Sequence, residues 1–75
     1  MVLSDLKPGE TAIIQDTSLL DDTLHKRLIQ FGIREGTVIG VKGILPFKGP
    51  FVIELKGQKI GIRMNAATKI KVERK

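Results

Sequence analysis

The chain contains no cysteine, no tryptophan and no tyrosine, and among its 75 residues only three are phenylalanine and one is histidine. Without cysteine there is neither a disulfide framework nor a thiolate metal site, so an aliphatic core must hold the fold unaided. Scarce aromatics leave little to stack nucleic-acid bases or to line a polyproline groove. Ser4 and Ser18 share a single histidine and no orienting constellation, and no glycine-rich phosphate loop follows a strand. Catalysis is therefore not expected. No apolar run approaches the roughly 20 residues that cross a bilayer. The start, Met-Val-Leu-Ser-Asp-Leu-Lys-Pro-Gly, has neither the basic nor the apolar region of a secretion signal. The expectation is a cytoplasmic, non-membrane-spanning protein.

What is present is aliphatic and basic. A chain of this length forms one domain, residues 1–75, and buries only about 60–65% of its unfolded surface, leaving a few kcal/mol of stability. The net charge of +5 is unevenly spread. Residues 1–37 carry four basic and six acidic side chains, while residues 38–75 carry nine basic and two acidic. A basic half can meet nucleic acid, anionic lipid or an acidic protein, or it can simply keep sheet edges from pairing.

Leu3 and Leu6 flank a short helical turn that Pro8-Gly9 stops. Glu10 to Gln15 is β-prone, with Ala12 and Ile14 on one side. Asp16-Thr17-Ser18 makes a polar break, and Asp21 or Asp22 caps a helix running from about Asp22 to Phe31. Within it Leu24, Leu28 and Phe31 fall at i, i+4 and i+7, an apolar face. Gly32 ends the helix, because only glycine enters the left-handed region without penalty. After Glu35-Gly36, residues Thr37 to Lys42 read as a β-branched strand, where Gly40 predicts a bulge or close crossing. Ile44 to Pro50 is a loop with apolar tips. Phe51 to Leu55 alternates with Phe51, Ile53 and Leu55 inward, Lys56-Gly57 makes a tight hairpin, and Lys59 to Arg63 alternates with Ile60 and Ile62 inward. Asn65 is expected to cap one helical turn, and Lys69 to Glu73 closes with Ile70 and Val72 buried. The layout is mainly β: a small five-stranded SH3-like barrel with one short α-helix after the first strand, closed to remove its edges.

The ordered set Leu3-x-x-Leu6-x-x-Gly9 and Arg27-Leu28-x-x-x-Gly32-Ile33-x-x-Gly36 resembles the FeoA family of bacterial ferrous iron transport. The resemblance continues through Pro46-Phe47-Lys48-Gly49-Pro50, Ile60-Gly61-Ile62-Arg63, Ala66 and Ile70-x-Val72, nearly the whole length. Glu35 stands where the family often shows proline, and Gln30 where an acidic residue is common. The resemblance implies an SH3-like barrel, a monomer or weak homo-oligomer, that serves FeoB, the membrane ferrous-iron transporter with a cytoplasmic GTPase domain. It implies residence at the inner face of the membrane through that partner. FeoA-like domains also end iron-dependent repressors, but this chain carries no helix-turn-helix.

Three groups of residues invite a functional reading. His25 lies near Asp21 and Asp22, yet capping carboxylates beside an exposed histidine are the more ordinary arrangement, and no metal or cofactor is expected. Arg27 resembles a phosphoryl-stabilising finger only in being a surface arginine; laying its stem on the core is the simpler role. The apolar residues Leu45, Pro46, Phe47 and Phe51, rimmed by Lys42 and Lys48, form the expected partner-binding patch, the alternative being that Leu45 and Phe47 fold back to plug the barrel end. The alternative function is a small-barrel nucleic-acid-binding protein, supported by the basic half and opposed by the aromatic shortage, so no specific nucleic-acid partner is expected.

Overall fold

The computed structural model describes residues 1–44 and 49–75. A 3-10 turn at Leu3–Asp5 precedes strand β1 (Thr11–Asp16), helix α1 (Asp22–Gln30), strands β2 (Val38–Ile44), β3 (Phe51–Leu55) and β4 (Gln58–Ile62), the single-turn helix α2 (Met64–Ala67) and strand β5 (Lys71–Arg74). The strands form one antiparallel sheet in the order β4-β3-β2-β1-β5. Three of the four neighbouring pairs are consecutive in sequence, so most pairing is between strands joined directly, and β1–β5 is the one long-range pair.

Period-two alternation delivers the core. Ala12 and Ile14 of β1, Ile39 and Val41 of β2, all three odd residues of β3, and Ile60 and Ile62 of β4 are buried. Leu3, Leu6, Ala66, Ala67, Ile70 and Val72 fill the space between the N-terminal turn, α2 and β5. The outer edge of β5 does not face solvent alone: Val2 bridges Lys71, the Leu3 amide donates to the Ile70 carbonyl (2.8 Å), and the Val72 amide donates to the Met1 carbonyl (2.9 Å). Among the described residues no further strand pairs with the other outer edge, that of β4.

Several local expectations shift. The bulge falls between Val41 and Gly43, with Lys42 as the extra residue, and not at Gly40. Gly40 pairs regularly with both Thr11 and Glu54, and a Cβ there would meet only a methyl at 3.9 Å. Asn65 lies inside α2, whose N-cap position is Arg63 with no side-chain cap bond. Asn65 therefore caps nothing: the turn starts two residues earlier, directly after Ile62 has been buried as the last strand residue. The Lys56-Gly57 turn is as expected, with φ of 50° and 82° joining the Leu55–Gln58 pair.

Candidate partner-docking groove

Helix α1 is defined at both ends. The Asp21 carboxylate accepts from the Leu24 amide at 2.8 Å, which satisfies one free donor and puts negative charge at the positive end of the dipole. At the other end the Gly32 amide donates to the Ile29 carbonyl (2.9 Å) and the Ile33 amide to the Leu28 carbonyl (2.8 Å). This pair of bonds is a Schellman motif, and Gly32 adopts the φ of +84° that it requires. Leu28 and Ile33, the residues such a motif brings together, are both buried.

That ending decides the fate of Phe31. The sequence places it on the buried face with Leu24 and Leu28, yet it is 51% exposed, while Leu28 is buried and Leu24 only half-buried. The chain turns away at Gly32, and Ile33 takes the core position that Phe31 would have needed. Phe31, Arg27 and Leu24 are thus left on one flank of the helix, four and three residues apart and stacked one above another.

Opposite this flank stand the end of β4 and the start of α2. Leu24, Arg27, Leu28, Gln30 and Phe31 on one side, and Gly61, Ile62, Arg63 and Ala66 on the other, line a groove of about 320 Å³. Ile62 and Ala66 are buried and supply an apolar floor, while Arg27 and Arg63 are exposed at the walls. Among the described residues neither arginine takes part in an ion pair; the two that exist join Lys42 to Glu54 (3.0 Å) and Arg74 to Glu10 (2.5 Å). An apolar floor between two cationic walls is suited to a chain segment, since the walls can orient what the floor retains.

The expected patch on and beside the loop of residues 44–50 fares differently. Leu45, Pro46, Phe47 and Lys48 lie outside the described residues. Phe51 is fully buried, because β3 turns it to the core with Ile53 and Leu55, so it offers no surface to a partner. Lys42 is exposed but bound to Glu54 across the strand pair. Pro50 packs beside the groove: a Cβ at Gly61 would come within 3.3 Å of it. Sequence reading missed the groove because it credited Phe31 to the core. The signal was available, since Gly32 immediately after Phe31 leaves that side chain at the helix end.

His25 is exposed and lines a second recess of about 410 Å³ with Thr17, Ser18, Arg34 and Glu35 on the other flank of α1. Asp21 is engaged in its cap, and among the described residues no group of three or more histidine, cysteine, aspartate or glutamate side chains could hold a metal ion. Two carboxyls are held below their ordinary range. Glu10 accepts the Lys7 amide (2.6 Å) and the Arg74 guanidinium, and both favour its charged form. Asp16 is lowered by hydrogen bonds from Ser18, including its amide at 2.8 Å. Both acids belong to turns and edges remote from the groove.

The family model for the FeoA domain matches residues 1–74. The chain belongs to the FeoA family. Its SH3-like fold is shared with an iron uptake regulatory protein of that family, at TM-score 0.86 and 25% identity over 100% of this chain and 97% of the other. It is also similar to the FeoA protein from Chlorobium tepidum, at TM-score 0.90 and 27% identity, covering 99% of this chain and 70% of that one. The apo form of the manganese-activated repressor ScaR matches at TM-score 0.83 and 25% identity, but the FeoA-like region is only 35% of that longer chain. No curated protein sequence matches. Among the described residues no helix is long and apolar enough to cross a membrane.

Proposed function

We propose that this FeoA-family chain is a cytoplasmic, non-catalytic accessory of ferrous iron transport that docks on the cytoplasmic part of a FeoB-type transporter and modulates its assembly or GTPase cycle. The observation that carries this reading is the family match along residues 1–74, in a chain whose described residues contain no second fold. The apolar groove with its two arginines supports it by offering a surface of the kind that binds a partner. A nucleic-acid interface gains less support: Phe51 is buried, and of the described phenylalanines only Phe31 has a face free to stack.

Calorimetric titration of the chain into the soluble GTPase region of the transporter tests the reading, with GTP turnover followed alongside. Binding with a changed turnover or a changed oligomeric state is the expected result. No binding, together with normal ferrous iron uptake in a deletion strain, refutes it.

A further inference from the structure

We propose that the groove between α1 and the β4–α2 corner receives an acidic peptide segment carrying a bulky apolar side chain. The inference rests on the docking reading above and names the chemistry of the segment that docks. Its apolar side chain would lie on Ile62 and Ala66 against the exposed ring of Phe31, and its carboxylates would meet Arg27 and Arg63.

Charge complementarity supports this occupant. Among the described residues none of those lining the groove is acidic, whereas the Lys42 and Arg74 side chains on other faces already have carboxylate partners. The undescribed residues, Leu45 to Lys48, include no acid that could neutralise either wall. Arginine is suited to the task because its planar fork binds a carboxylate through two parallel hydrogen bonds. The net charge of +5 adds long-range attraction for an acidic segment.

The shape favours a peptide over the other anionic partners. An anionic lipid surface is met by a convex apolar patch, whereas here the apolar residues Ile62 and Ala66 form a recessed, buried floor. Single-stranded nucleic acid needs successive stacking platforms, and among the described residues Phe31 alone is an aromatic lining the groove. Beside the groove, β4 is a terminal strand of the sheet, and among the described residues no further strand pairs with its outer edge.

The test uses the full chain, labelled with 15N, and a synthetic capped nonapeptide with glutamates flanking a central Leu-Phe pair. Two control peptides replace the glutamates by glutamines or the Leu-Phe pair by alanines. Amide shifts centred on Arg27, Phe31, Gly61 and Arg63 are expected with the first peptide, weakening as salt rises. The double variant R27E/R63E should bind it roughly tenfold less tightly. Both arginines are exposed, so the fold should survive; R27Q/R63Q, with far-UV circular dichroism, provides a milder check.

Equal binding of the glutamine control, shifts that map elsewhere, or no shift at millimolar peptide overturns the proposal. So does preferential binding to phosphatidylglycerol vesicles or to mixed RNA. The two readings fail separately. If the transporter's GTPase region binds wild type and R27E/R63E equally, docking stands and the acidic-segment proposal falls. If the peptide binds the groove but the GTPase region does not bind the chain, the groove proposal stands and the transporter reading falls.

Discussion

Two phenylalanines in this chain have opposite duties, and the difference is measurable. Phe51 is enclosed on all sides by the barrel core, whereas Phe31 stands half in solvent at the end of α1. Phe51→Ala should cost about 3–5 kcal/mol through lost transfer energy and a residual cavity. In a domain with a margin of a few kcal/mol, that substitution leaves little or no folded protein. Phe31→Ala should change stability by less than about 0.5 kcal/mol. Urea unfolding followed by far-UV circular dichroism checks both, since the chain has no tryptophan to report by fluorescence. Gly32 is a residue-scale case of a different kind. A Cβ there would find its nearest neighbour, a Leu55 methyl, at 3.8 Å, so the space is available and only the backbone conformation objects. Gly32→Ala should cost about 1–2 kcal/mol, the penalty of a left-handed residue with a side chain. A drop much larger than that would mean the Schellman turn itself had been lost.

At the scale of elements, each short piece is specified by its own ends more than by its length. Helix α1 has only nine residues and would be marginal alone. It persists because Asp21 caps it, Gly32 stops it, and Leu28 and Ile33 pin its last turn into the core. The β3–β4 hairpin is less well provided. Its two turn residues both have positive φ, and the first of them is lysine at 50°. A turn of this kind prefers asparagine or glycine there, so Lys56→Asn should raise stability by roughly 0.5–1 kcal/mol without altering the register Leu55–Gln58. A higher urea midpoint at unchanged slope is the expected observation. The strand and helix identities were largely legible in the sequence, because alternation in Phe51 to Leu55 and Gln58 to Ile62 and the i, i+4 pair Leu24–Leu28 are local patterns. The bulge at Lys42 was not, since a bulge is a property of two strands in register, and one strand read alone shows only a glycine nearby.

Over the whole molecule, the basic charge and the few ordered carboxylates set the response to acid. The folded-state values of Glu10 and Asp16 lie below their ordinary 4.5 and 3.8. The unfolded chain therefore binds more protons than the folded one in that range, and stability must fall as pH drops from about 4.5 through the lowered values. Both groups are only partly buried and their interactions are screened by salt, so the decline is gradual. NMR titration should find both carboxyls below the ordinary range, and Arg74→Gln should move Glu10 upward while leaving Asp16 in place. The sequence by itself determined the order of elements, the inward residues of each strand, the helix stop and the family, because all of these are written in local spacing, while the choice of Asp21 over Asp22 as the cap came from the structure. Only the tertiary structure decided that the flank of α1 bearing Leu24, Arg27 and Phe31 faces Gly61, Ile62 and Arg63. Those two segments are far apart along the chain, and they meet because the curl of the sheet carries the β4 edge to the helix. The groove's pairing of an apolar floor with two arginine walls therefore follows from packing that no single segment encodes.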